Sequence, residues 1–390
     1  MSTDSHRSPS HRRFDVTIRG GGVVGQTLAL LLARERLRVA LVGQPEATAA
    51  AAPDVRAYAL NTASRELLQS VRAWPEPGAG PAGGPPAVTP VKAMQVWGDD
   101  GGEVGFSAGP PPADALTWIV DVPALERRLA DAIGFQGGIE RCTEAPPAAL
   151  TVVCEGKRSR TRSELGLEFD VRPYPHKAVA ARLRCEQPHG GVARQWFRDG
   201  EIMALLPLEG AHGNSVALVW SVPAQQADDW LAAPPEALAQ AVQTRSGEVL
   251  GAMQMQSLPQ AWPLEISRAR RWIGRLGTGA VVLAGDAAHA MHPLAGQGLN
   301  VGLADVAELV RVLHGREYWR ELGDHRLLRR YERARQADVS AMGRVTDGLF
   351  GLFAHDDSRV QALRNWGMKG FERSTALKHW VVRQASGLGR

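Results

Sequence analysis

A glycine and an acid stand directly behind a run of apolar residues in the C-terminal half of the chain. The run Ala280–Ala284 predicts a buried strand, and Gly285 and Asp286 follow it. A carboxylate held at a strand end can accept hydrogen bonds from the hydroxyl groups of a ligand. His289 comes three residues later, and a histidine behind a strand is commonly a structural hydrogen bonder. We therefore assign ligand binding to Asp286 and no general-base chemistry to His289.

A glycine-rich segment then leads into a helix. From Leu299 onward, the apolar side chains of Leu303, Val306 and Val310 recur at helical spacing. The first N–H groups of a helix have no partner inside it, so a helix N-terminus attracts electron-rich oxygen. Strand, acid and helix start together predict a place that holds a cofactor. Between the acid and the body of the helix lie Pro293, Gly296, Gln297, Gly298 and Asn300.

A second glycine cluster lies near the N-terminus. Residues 14–19 predict a strand, and Gly20, Gly22 and Gly25 follow with the spacing G-x-G-x-x-G before a predicted helix and a further strand. This is the order of a dinucleotide-binding fold, in which a diphosphate lies over the helix N-terminus. Such folds usually end the second strand in an acid that binds the adenosine ribose. Here Gln44 stands near that position and is the weaker candidate for the same contact.

The two clusters together resemble a known family. The run from Gly285 to Asn300 resembles the ribityl-binding motif of the FAD-dependent aromatic hydroxylases, and the N-terminal glycines match a dinucleotide motif. The resemblance implies that Asp286 binds the ribityl hydroxyls of FAD. It places Pro293, Gly296, Gln297, Gly298 and Asn300 at the cofactor as well. It also implies that the backbone amides around residues 296–298 face the pyrimidine edge of the flavin, where the reduced flavin is anionic.

Short matches elsewhere indicate one branch of this family. Residues 174–180, the turn at 205–208 and residues 330–335 resemble segments of the ubiquinone-biosynthesis hydroxylases. Each match is weak by itself, and their shared order along nearly the whole chain favours the branch.

Two further segments are assigned to the cofactor site by the resemblance alone. The segment around Arg56 looks like the arginine segment behind the second strand, where the arginine of the family contacts the cofactor. Glu155 and Gly156 look like the Asp-Gly motif near the diphosphate, which the family links to nicotinamide binding, with Glu in place of Asp. The extra methylene changes reach and angle, so the use of NAD(P)H as transient reductant is open. We expect the longer acid, close to Arg158, Arg160 and Arg162, to alter the surface on which NAD(P)H docks near Arg56 and Glu155.

The resemblance also implies an activity. In this family FAD is reduced by hydride, reacts with O₂ to a flavin hydroperoxide, and passes one oxygen atom to an aromatic ring. The expected substrate is a lipophilic phenol of ubiquinone biosynthesis. Two alternatives stay open: a hydroxylase of another small aromatic or secondary metabolite, and a non-catalytic assembly subunit that keeps the FAD fold. No residue can be named from the sequence as a catalytic base.

The amino-acid composition argues against several other classes of protein. Three cysteines without paired spacing offer neither a disulfide framework nor a metal site, which fits a reducing cytoplasm. No apolar run reaches the roughly 20 residues of a membrane span. The net charge is +4 and the basic residues are scattered, which argues against nucleic-acid binding. We expect a cytoplasmic protein, with a biosynthetic protein complex or an anionic membrane surface as open candidates for further partners.

These motifs need a particular set of elements to position them. We predict an α/β protein with a Rossmann-like FAD-binding domain, an interleaved antiparallel β-sheet substrate domain and C-terminal helices, a para-hydroxybenzoate hydroxylase-like fold. Alternating apolar residues at Val179, Ala181 and Leu183 indicate the antiparallel sheet. Between residues 140 and 152 the chain is short where the family generally carries a β-meander, so we expect part of that meander to be missing.

The same patterns predict a discontinuous division of the chain. The predicted segments are a disordered tail at 1–13, an FAD-binding domain at 14–73, 91–168 and 274–322, a mobile Pro/Gly loop at 74–90, the substrate sheet at 169–273 and a C-terminal helical region at 323–390.

Overall fold

The computed structural model describes residues 14–43, 54–75, 87–98, 102–108, 115–209, 212–290 and 298–354, with side-chain surroundings up to residue 343. The expectations for the tail at 1–13, for most of the Pro/Gly loop and for residues 355–390 lie outside these ranges.

The strands in the described ranges are β1 (Phe14–Arg19), β2 (Val39–Val42), β3 (Ala57–Leu60), β4 (Val88–Val91), β5 (Ala93–Trp97), β6 (Glu103–Ser107), β7 (Thr117–Asp121), β8 (Ile139–Cys142), β9 (Ala148–Val153), β10 (Phe169–Cys185), β11 (Val192–Arg198), β12 (Glu201–Leu208), β13 (Ser215–Pro223), β14 (Met253–Met255), β15 (Gln260–Ala269), β16 (Ile273–Leu276), β17 (Gly279–Leu283) and β18 (His289–Ala290). The helices in the same ranges are α1 (Val23–Arg34), α2 (Thr62–Ser70), α3 (Val122–Gly134), α4 (Arg160–Glu164), α5 (Ala224–Ala232), α6 (Pro235–Arg245), α7 (Gly298–His314) and α8 (His325–Ala354).

The first sheet has the order β16-β17-β9-β1-β2-β8, and all its pairings are parallel except β16 with β17. β2, β9 and β17 are short, mostly apolar runs, as expected for parallel strands that are covered on both faces. Val16 and Ile18 of β1 are fully buried. Helices α1 and α7 belong to the same core through Leu28, Leu32 and Leu309. This is the predicted Rossmann-like layer, with β1 and α7 at the predicted places.

The second sheet has the order β18-β15-β10-β13-β12-β11-β5-β6, and β14 also pairs with β10. Its pairings are antiparallel except β11 with β5. Val179, Ala181 and Leu183 are fully buried on one face of β10, where α5 and α6 cover the sheet. Strands have a side-chain period of two, so the intervening residues face the other side. The alternation predicted from the sequence is confirmed.

A small sheet of order β3-β7-β4 lies between the two larger ones. A minor apolar cluster joins it to the second sheet through Ile119 of β7, Ala193 of β11 and Ala217 of β13. The first-sheet layer and the face of the second sheet opposite to α5 and α6 are thus brought together around this small sheet.

The strand pairings differ from the predicted segments at two places. β5 and β6 fall in the range predicted for the FAD-binding domain, but they pair into the second sheet, where Trp97 stacks on Trp196 with ring centres 4.9 Å apart. The range predicted as a loop at 74–90 contains the start of β4, which pairs with β7. Both differences arise from long-range pairing. The division into domains as a whole stays a proposal.

The link between β8 and β9 is short, as expected. Residues 143–147 join the two strands with no further strand between them. None of the helices in the described ranges combines the length and the hydropathy needed to cross a bilayer.

Candidate functional site

Three neighbouring parallel strands end at one edge of the first sheet and bring three sequence motifs together. β1 leads into the glycine turn Gly20–Gly25, β9 leads to Glu155, and β17 leads to Asp286. The strand ends are joined by backbone hydrogen bonds, such as the one from Cys154 N to Arg19 O at 2.6 Å. Open parallel sheets bind their ligands outside these carboxyl ends.

The glycine turn is packed so closely that two of its positions accept no side chain. Gly20 has φ +121°, and a Cβ there would lie 2.2 Å from the carbonyl oxygen of Cys154. A Cβ at Gly25 would lie 1.9 Å from the carbonyl oxygen of Gly20. A Cβ at Gly22, in contrast, would meet no described atom within 4 Å. Open space therefore lies above the N-terminus of α1, where unpaired N–H groups can bind a diphosphate.

Asp286 sits in a tight turn behind β17. Gly285 has φ +61°, a left-handed conformation that favours glycine, and a 3₁₀ turn covers Gly285–Ala287. The Asp286 side chain is half-buried, and no residue that the structure describes donates a hydrogen bond to its carboxylate. Burial raises the pKa of this carboxyl above its ordinary value, and the charge of Lys157 offsets part of the rise. A carboxylate in such surroundings calls for hydrogen-bond donors from a ligand.

The raised pKa predicts that FAD affinity falls on acidification. Ribityl hydroxyls donate hydrogen bonds to the ionised carboxylate, so protonation of Asp286 weakens these bonds. Because burial raises the pKa of Asp286, this protonation occurs at a higher pH than in an ordinary aspartate. FAD titrations at a series of pH values from neutral to weakly acid should therefore show weakening affinity. Asp286→Asn cannot ionise and should bind FAD with a flatter pH profile. An equally steep profile in Asp286→Asn would contradict the assignment.

A buried carboxylate ties the Asp286 turn to helix α7. Asp305 is fully buried, and its Oδ2 accepts a hydrogen bond from Gly285 N at 2.9 Å and lies 2.6 Å from His289 Nε2. Burial alone would raise the pKa of Asp305, but the contacts with His289 and Arg335 outweigh it and hold the pKa below its ordinary value. His289 thus has the structural hydrogen-bonding role that its position in the sequence indicates.

Glu155 organises its own loop. Its carboxylate accepts hydrogen bonds from Ser159 Oγ at 2.7 Å, from Thr161 N at 2.9 Å and from Thr161 Oγ1 at 2.7 Å. Arg19 at the end of β1 donates to the same threonine hydroxyl at 2.8 Å. The carboxylate therefore joins the loop behind β9 to the start of α4. The contact of Glu155 and Gly156 with a cofactor stays a prediction.

The three arginines of the basic loop differ in exposure. Arg158 and Arg160 are exposed, but Arg162 is buried, with its guanidinium carbon 3.4 Å from the ring centre of Phe169. Its Nη1 donates to the carbonyl oxygen of Ala287 at 2.9 Å. The basic run beside Glu155 is therefore not exposed throughout, because the Arg162 side chain packs between its loop and the Asp286 turn.

Arg56 is held by a neighbouring acid. Its guanidinium lies 2.6 Å from the carboxylate of Asp54, a contact that raises the pKa of Arg56. Burial raises the pKa of the Tyr58 hydroxyl, the charge of Arg56 partly offsets this, and the charge of Asp286 adds to it. The charges of Arg56 and Asp286 thus both act on the Tyr58 hydroxyl. The contact of Arg56 with a cofactor stays a prediction.

Asn300 uses its side chain inside the protein. Its Oδ1 accepts hydrogen bonds from Asn61 N at 3.0 Å and Ser64 Oγ at 2.7 Å, and its Nδ2 donates to Ala59 O at 2.8 Å. The side chain therefore fixes the start of α7 against the β3–α2 segment. The contact of Asn300 with a cofactor stays a prediction. Gly298 begins α7, and a Cβ there would meet no described atom within 4 Å.

Four predicted cofactor residues, Gln44, Pro293, Gly296 and Gln297, lie outside the described residues, and their roles stay predictions. The sequence analysis did not single out four side chains that interact with the Asp286 turn directly, electrostatically or through a partner: Tyr58, Lys157, Asp305 and Arg335. A signal existed for the last two, because each places a charge on the otherwise apolar stripe of a predicted helix.

The described residues fit the parts of FAD. The space above Gly22 suits a diphosphate, and the Asp286 carboxylate, which has no donor among the described residues, suits ribityl hydroxyls. The two helix N-termini converge on this place, since a Cβ at Gly302 of α7 would lie 3.0 Å from Val24 of α1 and 3.4 Å from the Cα atom of Gly285. The arrangement can bind and orient a dinucleotide with a polyhydroxyl chain.

The chain matches known proteins over most of its length. The family model described as "FAD binding domain" matches residues 144–346. The chain is 31% identical to the ubiquinone hydroxylase UbiL of Rhodospirillum rubrum, over 96% of this chain and 89% of that protein. It is 27% identical to the 3-demethoxyubiquinol 3-hydroxylase of Escherichia coli, over 96% of this chain and 98% of that protein.

A solved protein structure has a similar fold. The p-nitrophenol 4-monooxygenase PnpA of Pseudomonas putida matches with a TM-score of 0.73 over 95% of this chain and 97% of its own, at 16% identity. At that identity the likeness concerns the fold alone, and it confirms the predicted α/β architecture. With the family model and the relative that is 31% identical, the chain belongs to the FAD-dependent monooxygenases, in the branch that contains the ubiquinone hydroxylases.

Proposed function

We propose that this protein hydroxylates the aromatic ring of a lipophilic phenol in ubiquinone biosynthesis, with FAD as cofactor and O₂ as co-substrate. The observation that carries the proposal is the 31% identity to a ubiquinone hydroxylase over 96% of the chain. The half-buried Asp286 at the meeting point of β1, β9 and β17 supports it, because the site has the acceptor and the space that FAD needs.

Different residues of the site bind different parts of the cofactor. The N–H groups at the start of α1, above Gly22, bind the diphosphate, and Asp286 accepts from the ribityl hydroxyls. The N-terminus of α7, from Gly298, points its N–H groups at the pyrimidine edge and favours negative charge there. When bound, FAD supplies the activation of O₂ and its transfer to the ring. The protein contributes position, charge stabilisation and exclusion of water.

The second sheet supplies the proposed roof of the substrate pocket. On the face opposite to α5 and α6, the strand register places Ala180, Val219 and Ala204 side by side in one row. The alternating neighbours, such as Trp220 and Met203, fill the core against α5 and α6. Val219 and Ala204 are half-buried, so the row offers small apolar side chains to a ligand. Such a surface suits an apolar ring and disfavours a charged one.

Substrate profiling tests the proposal. The FAD-loaded protein, supplied with a reductant, should hydroxylate prenylated phenols faster than water-soluble aromatics of the same ring pattern. The reverse order would favour the hydroxylase of another small aromatic. If neither set yields a product although FAD is bound and reducible, the result would favour the non-catalytic assembly subunit. Glu155, in place of the Asp of the family motif, and the short link at 143–147 are the features that favour this alternative.

We predict that NAD(P)H reduces the bound FAD slowly unless substrate or a partner protein is present. Glu155 stands in place of the Asp of the nicotinamide-linked motif, and its carboxylate accepts hydrogen bonds from Ser159 and Thr161. These bonds hold the carboxylate within its own loop, so we expect it to contribute little to the binding of NAD(P)H. Anaerobic stopped-flow bleaching of the flavin by NADPH measures the rate. Reduction at a rate on the order of 10 per second without substrate would contradict the prediction.

A variant pair locates the cause of slow reduction. Glu155→Asp restores the shorter acid and should speed reduction, whereas Glu164→Asp, an exposed acid of the same α4 segment paired with Arg160, should not. If Glu155→Asp leaves the rate unchanged, the cause is the short link at 143–147.

A further inference from the structure

Helix α8 buries three polar side chains on one face. Tyr331 is 0% exposed, Glu332 2% and Arg335 4%. Buried polar and charged groups cost free energy unless each finds a partner. All three find their partners at or beside the turn that carries Asp286, and we name Tyr331, Glu332 and Arg335 the α8 anchor.

Two members of the α8 anchor fix the approach to the turn. Tyr331 Oη donates to the carbonyl oxygen of Leu283, the last residue of β17, at 3.0 Å. Glu332 Oε1 accepts from the backbone N–H of Trp272 at 2.8 Å. The Trp272 ring in turn stacks on the ring of His289, with ring centres 5.1 Å apart and planes 28° apart. One contact thus holds the strand before Asp286, and the other supports the residue three positions after it.

The third member acts through a shared carboxylate. Arg335 Nε donates to Asp305 Oδ1 at 2.7 Å, while Asp305 Oδ2 accepts from Gly285 N and bonds His289. Arg335 Nη1 also lies 2.7 Å from Asp338. A single buried carboxylate therefore connects α8 to the residue before Asp286 and to His289. Without the guanidinium this carboxylate would lose its buried ion-pair partner, and such a loss is strongly destabilising to the surrounding structure.

We infer that the α8 anchor is part of the FAD site: Arg335, Glu332 and Tyr331 are positioning residues that hold the Gly285–Asp286 turn in the shape that accepts the ribityl chain. The turn is three residues long, and its own backbone hydrogen bond runs from Ala288 N to Gly285 O at 2.8 Å. The contacts of the α8 anchor add to this bond from outside the turn. The inference deepens the proposed function and rests on its FAD binding, and it extends the site to a helix about 45 residues further along the chain.

The test uses matched arginines of one helix. Arg335→Met should raise the Kd for FAD of the full-length apoprotein by about 10-fold or more. Arg333→Met makes the same substitution at an exposed position two residues away and should change the Kd less than about 2-fold. Tyr331→Phe removes only the hydroxyl and should raise the Kd by about 2- to 10-fold with the fold intact, which keeps the test decisive if Arg335→Met does not fold.

A double variant separates positioning from general support of the fold. If the α8 anchor acts through the turn, Tyr331→Phe should weaken FAD binding much less in an Asp286→Ala background than in the wild type. Equal effects in both backgrounds would overturn the inference, as would an unchanged Kd in Tyr331→Phe while Asp286→Ala weakens binding. Failure of the wild-type apoprotein to bind FAD at all would instead overturn the proposed function, so the two failures are distinguishable.

Discussion

Asp286→Ala is expected to lower the affinity for FAD by roughly 10- to 150-fold while the apoprotein stays folded. The loss of a charge-assisted hydrogen bond typically costs about 1.5–3 kcal/mol, which corresponds to that range. The fold should tolerate the change, because no described residue donates to the carboxylate and burial raises its pKa, which means that its charge is unfavourable without a ligand. Fluorescence titration of the apoprotein with FAD measures the effect.

The control for this variant is Asp228→Ala, an aspartate of α5 that pairs with Lys177 far from the strand ends. It should leave the FAD titration unchanged. Wild-type protein should release its flavin on denaturation, because every proposed contact with FAD is non-covalent. Unchanged FAD binding by a folded Asp286→Ala protein would mean that the Gly-Asp turn has been misassigned.

The second large effect is expected in the glycine turn, where two alanine substitutions should act in opposite ways. Gly25→Ala places a Cβ 1.9 Å from the carbonyl oxygen of Gly20 and should destabilise the apoprotein by at least about 1–3 kcal/mol. Gly22→Ala places its Cβ in open space and should leave the unfolding free energy within about 0.5 kcal/mol of wild type. It should nevertheless weaken FAD binding, because the methyl group takes room from the diphosphate.

Two measurements on the same pair of proteins check this expectation. Denaturant unfolding without FAD gives the stability, and FAD titration gives the affinity. A Gly22→Ala protein that is stable and binds FAD as tightly as wild type would place the diphosphate elsewhere. A Gly25→Ala protein as stable as wild type would contradict the close packing of the turn.

Local patterns were sufficient to predict the elements that carry the cofactor motifs. β1 occupies the predicted residues 14–19, where apolar and polar residues alternate up to the glycine turn, and α7 follows the apolar stripe behind Leu299. The assignment of β5 and β6 was not available from such patterns. Trp97 pairs with Trp196, almost 100 residues away, and either strand alone is compatible with both sheets.

The site shows the same contrast. Gly20, Gly25 and Asp286 have backbone and burial properties that their types and spacing indicate. The electrostatic effects of Lys157 on Asp286 and of Asp286 on Tyr58 depend on tertiary proximity, which no spacing in the sequence reveals. Arg162 shows the reverse case. The sequence places it in a basic run that suggests exposure, but the side chain packs on Phe169 and is buried.

The most direct test of the account is the source of the oxygen atom in the product. The FAD-loaded protein, supplied with a reductant and a prenylated phenol under ¹⁸O₂, should yield a ring-hydroxylated product that carries one ¹⁸O atom, and Asp286→Ala at low FAD should yield less. This result follows from a monooxygenase whose FAD is held by the Asp286 turn. Product oxygen derived from water, or no hydroxylation by protein that holds reducible FAD, would contradict the account.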